Sequence, residues 1–382
     1  MALFLAAPAL AYDGPVEKKT FALPYYNTVG GKTIKNVKVG WESYGKLNEG
    51  KSNVVLIPHF FSGNSHAAGK YKPGDAAAGY WDSIIGAGKP IDTDRFYVVS
   101  VDSLANLNVK SPTTVTTGPA TVNSDTGKPY GMTFPIVAIR DFVNVQKLLM
   151  DSLGIRKLHA VIGASMGALQ AMEWAAGYPD MVERVVPVIG DGEASAALIG
   201  WLNVWAAPIM LDPNWNGGDY YGRAEPVKGL AESLKVVTLH AQGREWAAAT
   251  FGRKWAAPDK NPLDSFANKF AIEDTLDKAS AARAAASDAN SFLYLVKANQ
   301  LYFQDNPGGL DAVVKKITAR MLLLPAVGDQ VFPPENSRRL QAATKATGWV
   351  ADYAEIEGPN GHLNGVIHIA KQGEALKAFL AK

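Results

Sequence analysis

Three residues far apart in the chain, Ser165, Asp329 and His362, carry side chains that together could break and remake acyl bonds. Ser165 stands between two glycines in Gly163-Ala164-Ser165-Met166-Gly167. The apolar run Leu158-His159-Ala160-Val161-Ile162 before it reads as a short buried strand. Ala168-Leu169-Gln170-Ala171-Met172-Glu173-Trp174-Ala175 after it reads as a helix start. A serine at such a junction is a nucleophile elbow, a strained turn that lifts the hydroxyl clear. Flanking side chains larger than hydrogen would collide with strand or helix, which is why glycines stand there. The backbone N–H of Met166 then opens a helix, whose N-terminus favours developing negative charge.

A serine hydroxyl needs a base to take its proton, and the base needs an acid to orient it. After an elbow, the partners follow in the chain order Ser, Asp or Glu, His, from loops at the carboxyl ends of later strands. Asp329 follows the predicted strand at 320–327, and His362 follows the one at 352–357. Alone, an Asp after Gly328 is a common turn residue and a Gly361-His362 pair a common loop contact. Their order and their position at two successive strand ends distinguish them. Asp352, Glu355 and Glu357 are the fallback acids, but they lie within or at the ends of the last strand. The loop after the first central strand, starting at His59, is expected to supply the second oxyanion donor, for which the N–H of Phe61, facing that of Met166, is the best candidate. Losing one such donor costs roughly 3 kcal/mol of transition-state stabilisation. Of the other histidines, His59 is expected to brace its loop, His159 and His368 to be structural, and His240 to lie in a cap.

The elements that must carry these residues follow from pattern. Residues 18–47 form β-rich segments around a turn at Asn27-Thr28-Val29-Gly30-Gly31. Buried strands are predicted at 53–58, 95–101 and 182–189, with a helix from Phe134-Pro135 to about Leu153 and a closing helix over 365–382. Residues 102–134, rich in Thr, Asn, Pro and Gly, read as loop over the top of the sheet. Strands alternating with helices predict a mostly parallel central sheet flanked by helices. Residues 193–309, rich in alanine and holding Trp201, Trp205, Trp215, Trp246 and Trp255, read as an inserted helical cap. The tryptophans serve cap packing more readily than a ligand box, although a substrate tunnel would use the same residues. The core is thus 12–192 and 310–382, interrupted by the cap.

With 382 residues, 47% of them hydrophobic and 19% charged, the chain can bury a large core. A net charge of +2 offers no field for nucleic acid or acidic membranes. Cysteine is absent, which excludes thiol catalysis, disulfides and thiolate metal sites. The histidines lack metal-ligand spacing and no phosphate-binding glycine motif occurs, so neither metal nor cofactor is expected. Residues 1–11 are apolar and end in Ala9-Leu10-Ala11, an A-x-A cleavage signature on a segment too short to span a bilayer. The expectation is a truncated signal peptide and a periplasmic or secreted protein.

The chain resembles the homoserine O-acetyltransferase family of α/β-hydrolases along most of its length. His59 to His66 is similar to the family's His-Ala-Leu-Thr-Gly loop. Tyr80-Trp81-Asp82, Ile91-Asp92-Thr93, Thr117-Gly118-Pro119, Phe134-Pro135, Asp141, Gln146 and Ser165-Met166-Gly167 follow its pattern. So do Asp212-Pro213-Asn214-Trp215, Gly229-Leu230, Asp288 to Leu293, Phe332-Pro333-Pro334 and Gly361-His362. The resemblance implies the α/β-hydrolase fold, the Ser165, His362 and Asp329 assignment, an acyl-enzyme mechanism and a cap that mediates a homodimer. Departures fall on the acceptor side. Leu363 stands where the family has an Asp for the substrate ammonium, and Leu234 where it has an Arg for the carboxylate. Burying a zwitterion's charges unpaired costs several kcal/mol. The expected function is therefore ester hydrolysis of a neutral, partly apolar small molecule. The alternative, O-acyl transfer to homoserine or another alcohol, gains if Arg223, Arg244 or Arg253 reaches the pocket.

Overall fold

The computed structural model describes residues 12, 14–304, 306 and 308–382; the expected leader at 1–11 lies outside them. The apolar runs become one sheet. Its strands are β1 (Lys19–Asn27), β2 (Thr33–Tyr44), β3 (Val54–Pro58), β6 (Tyr97–Val101), β7 (Ala160–Ala164), β8 (Arg184–Val188), β9 (Arg320–Leu323) and β10 (Asp352–Tyr353). The spatial order is β1-β2-β6-β3-β7-β8-β9-β10; a separate pair, β4 (Ile85–Gly86) and β5 (Ile91–Asp92), lies outside it. The β1–β2 hairpin is antiparallel and joins β6 antiparallel, whereas β6, β3, β7, β8, β9 and β10 run parallel.

Both faces of the parallel part of the sheet are covered, which is why β3, β6, β7 and β8 read as mainly apolar runs. Leu56, Val99, Val161 and Val185 point into one core; their neighbours Val55, Val98, Ile162 and Val186 point into the other. The first core is closed by α1 (Ile139–Ser152) and α2 (Met166–Gly177), the second by Trp81 and α11 (Gly373–Ala381).

Between β8 and β9 the chain is mainly helical: α3 (Ala196–Leu211), α4 (Val227–Ala241), α5 (Arg244–Thr250), α6 (Ala271–Ala286), α7 (Ala289–Gln300) and the short α8 (Gly309–Val314). Helix α3 packs on α4 and α7, and α4 on α6. Of the cap tryptophans, Trp205 is buried, Trp215 is half-buried with its indole N–H on Asn290 Oδ1 at 3.0 Å, and Trp201 and Trp255 are exposed.

Two helix expectations are corrected. The helix predicted from Phe134-Pro135 begins only at Ile139, because Asp141 accepts the Ala138 N–H at 2.8 Å and starts the first turn there. The single closing helix over 365–382 is instead a series of short turns, including α10 (Asn364–Ile367), before α11. The backbone leaves helical geometry at His368 (φ −115°, ψ 13°), whose Nε2 lies 3.1 Å from Asn360 Oδ1, and at Gln372 (φ −101°, ψ 17°), whose amide donates to Glu355 O at 2.6 Å. The last strand is also shorter than predicted: β10 covers two residues, followed by a bridge between Ile356 and Ala326.

Candidate active site

The elbow forms as the sequence requires. Ser165 has φ 56° and ψ −121°, a strained conformation held between β7 and α2. A Cβ on Gly163 would collide with the Gly167 carbonyl, and one on Gly167 with the Pro58 carbonyl at the end of β3. No side chain fits at either glycine without moving backbone.

The turn delivers the Ser165 hydroxyl to within 2.8 Å of His362 Nε2. The other ring nitrogen, Nδ1, is 2.7 Å from Asp329 Oδ2. Asp329 follows β9, and its second oxygen, Oδ1, accepts the N–H groups of Val331 and Phe332 at 2.8 and 2.9 Å. Because a carboxylate only accepts, His362 carries a proton on Nδ1 and presents a bare Nε2 to the serine. Asp329 and His362 are buried, and Phe332 packs its ring beside the imidazole. Such a chain can move the serine proton to the imidazole as the oxygen attacks a carbonyl carbon. Of the fallback acids, Glu355 pairs with Arg338 at 2.6 Å, Asp352 with Lys382 at 3.6 Å, and Glu357 is exposed.

Phe61 lies in the loop after β3, and Met166, next to the elbow serine, is the first residue of α2. The loop after β3 is tied down by buried polar bonds. His59 Nε2 accepts from the Ser103 N–H at 3.0 Å and from Asn106 Nδ2 at 3.1 Å, so Nδ1 carries the proton and donates to the Phe60 carbonyl at 2.7 Å. Burial pushes the His59 pKa below its ordinary value, which favours this neutral form. Gln170 of α2 donates to the His59 carbonyl at 3.2 Å and accepts from Gln146 at 2.7 Å; Trp174 donates to Gln146 at 2.8 Å. Further along the loop, Asp102 accepts the Ser65 N–H at 2.7 Å. Beside it Glu42, fully buried, pairs with Lys18 at 2.7 Å and meets His66 at 3.1 Å. Burial alone would raise the Glu42 carboxyl, but the His66 bond and the Lys18 charge hold it below the usual carboxylate range.

Leu234 and Leu363, the two residues expected on the acceptor side, are apolar in surroundings as well as in type. Leu234 is fully buried on α4, which packs against the 3-10 turn Gly361–Leu363; Leu363 is half-buried against the same hydrophobic cluster. Arg223 pairs with Asp219 at 3.5 Å on the surface, and Arg253 is exposed. Arg244, also exposed, lines a cavity of about 280 Å³ whose wall includes Gly328, Asp329, Gln330 and Gly361.

The family profile described as the alpha/beta hydrolase fold matches residues 73–364. A homoserine O-acetyltransferase of Solidesulfovibrio magneticus is 37% identical over 98% of this chain and 94% of its own. The chain belongs to the homoserine O-acetyltransferase family of α/β-hydrolases. Among solved structures, the homoserine O-acetyltransferase from Bacillus anthracis superposes with a TM-score of 0.92 at 34% identity, covering 97% of this chain and 98% of that one. Esterase E22 superposes with a TM-score of 0.91 at 49% identity, covering 96% of this chain and all of that one. The family thus includes an acyltransferase and an esterase on one scaffold, and this chain is an enzyme of that fold.

Sequence reasoning placed His240 only in the cap. The structure brings it beside the acid loop, with Nε2 3.2 Å from the Gln330 carbonyl. Nothing in its spacing announced this, because cap and acid loop meet only through the tertiary fold. Gln170 was also unassigned; its place on the helix after the elbow was the available signal.

Proposed function

We propose that the chain is a serine esterase. Ser165 attacks the ester carbonyl, His362 takes its proton and returns it to the leaving alcohol, and Asp329 holds the imidazole tautomer. The N–H groups of Phe61 and Met166 receive the oxyanion. Water, deprotonated by His362, then releases the acid from acyl-Ser165. The observation that carries hydrolysis over transfer is the pair Leu234 and Leu363, one buried and one half-buried in an apolar cluster. Neither side chain can pair with the charges of an amino-acid acceptor, so a neutral, partly apolar ester suits the site better. The 49% identity to esterase E22 supports the same reading.

The second reading is O-acyl transfer to an alcohol, and the names of the curated relatives favour it. One experiment separates the two: hydrolysis of short-chain nitrophenyl esters with and without homoserine, measuring free acid against acylated homoserine. The expected result is free acid, unaffected by homoserine and absent in Ser165→Ala. Acylated homoserine outrunning free acid would overturn hydrolysis and establish the transferase.

The homodimer and the export expected from sequence belong to the same proposal. Helix α3 carries no charged residue and exposes Ile199, Trp201, Val204 and Leu211, a surface suited to a second copy. Among the described residues no helix is long and apolar enough to cross a membrane.

A further inference from the structure

A cap imidazole reaches the backbone of the acid loop. His240, near the end of α4, is buried and bonded at both ring nitrogens. Its Nδ1 accepts the indole N–H of Trp205 at 3.2 Å. Its Nε2 lies 3.2 Å from the carbonyl of Gln330, the residue that follows Asp329. An indole N–H can only donate and a carbonyl can only accept, so these partners fix one tautomer, with the proton on Nε2. Trp201 stacks on the ring, centroids 4.1 Å apart and planes 22° apart, which fixes its tilt.

Both partners lead to the chemistry. Trp205 meets Phe61 edge-to-face at 5.6 Å, so the indole that orients His240 also packs on the loop after β3. Gln330 sits between Asp329 and Val331, whose N–H bonds Asp329 Oδ1. A shift of the Gln330 carbonyl therefore moves the backbone that aims the carboxylate at His362. The contact continues past the helix end, where the Gln242 carbonyl accepts from Gln330 Nε2 at 3.3 Å and its side-chain oxygen from Asn360 Nδ2 at 3.1 Å.

We propose that His240 is a positioning residue: its Nε2–H anchors the Gln330 carbonyl to the cap and keeps Asp329 aligned with His362. The proposal rests on the reading of Ser165, His362 and Asp329 as the catalytic chain. It assigns the cap a part in the chemistry, beyond shaping the pocket.

The test compares wild type, His240→Phe, His240→Gln and Trp205→Phe. It measures Ser165 labelling by a fluorophosphonate, kcat and KM for nitrophenyl acetate, and the thermal transition. Phe keeps the stack on Trp201 and loses both bonds. Gln places an amide N–H at about the reach of Nε2 and restores the bond to Gln330. Misplacing a catalytic group by about 1 Å can cost 10²-fold in rate. His240→Phe is expected to lower kcat and labelling roughly 10- to 100-fold with KM within about threefold, and His240→Gln to recover to within about fivefold of wild type. Trp205→Phe, which frees the tautomer, is expected to lower kcat about threefold to tenfold. Wild-type kcat in His240→Phe or in Trp205→Phe overturns the proposal, as does a His240→Gln that folds like wild type yet turns over as slowly as His240→Phe. Wild-type protein that is not labelled at Ser165 overturns the catalytic reading instead.

Discussion

The loop after β3 and helix α4 both pack against the strand ends that carry Ser165, Asp329 and His362, but different forces fasten them. The loop is held by buried polar bonds: His59 to three partners, Gln170 to the His59 carbonyl, Asp102 to the Ser65 N–H. Helix α4 is held mainly by apolar packing, with Leu230, Leu234 and Val237 in the large cluster and His240 as a polar link to the acid loop. A satisfied polar network in a low-dielectric interior admits one geometry, because any shift leaves a group unpaired. Apolar packing tolerates exchange of residues of similar volume. An oxyanion site needs donors fixed before the reaction starts, whereas an acceptor pocket needs only shape and the right charges. The difference teaches how one scaffold can keep its acyl chemistry while changing what takes the acyl group.

That contrast can be broken at three points. The largest effect is expected at the acid: Asp329→Asn should lower kcat about 10⁴-fold, because the amide stabilises the wrong imidazole tautomer. Steady-state kinetics on a nitrophenyl ester, with circular dichroism to verify folding, measures it. A loss below tenfold would mean that another acid orients His362.

The next effect concerns the polar loop. His59→Leu leaves the Ser103 N–H without its acceptor, a cost of about 1–3 kcal/mol for that buried group, and takes from the Asn106 amide one of its two acceptors, leaving the Gly63 carbonyl. The urea midpoint should fall, and kcat should fall with it by at least about tenfold, since Phe61 sits on the same loop. If stability drops while kcat holds, the loop braces the core without supplying an oxyanion donor.

The smallest effect is in pH. Burial depresses the pKa of His59, His159 and His240 below 6.5. The unfolded chain therefore binds more protons than the folded one once pH falls below that value. Stability is full above 6.5 and is lost as pH falls toward the folded-state values. Urea midpoints should be lower at about pH 5.5 than at about pH 7.5, and the difference should shrink in His59→Leu. A midpoint difference unchanged by the substitution would show that His59 does not contribute to it.

The parts legible in sequence were those whose signal is local. Apolar runs bounded by turns gave the parallel strands, because a strand buried on both faces needs no polar alternation. Gly163 and Gly167 announced the elbow, because only glycine avoids the backbone of the neighbouring turn and of β3. Asp329 and His362 were legible because the chemistry demands them in that order at strand ends. The start of α1 at Ile139 was not, since Pro135 signals a helix start and only the Asp141 carboxylate decides where the turn begins. The breaking of the closing segment was not legible either, because it falls at His368 and Gln372, whose side chains reach back to Asn360 and Glu355.

Sequence by itself determined the fold class and the glycine-flanked turn, and it singled out Ser165, Asp329 and His362 as candidates, since each is written in residue type, spacing and order. Tertiary structure alone decided that His362 bridges Ser165 and Asp329 at 2.8 and 2.7 Å. It also decided that Arg223 and Arg253 stay at the surface and that a cap histidine reaches the acid loop. Those outcomes depend on where a helix inserted between two strands comes back to rest on the sheet, and no local interaction in the chain encodes that.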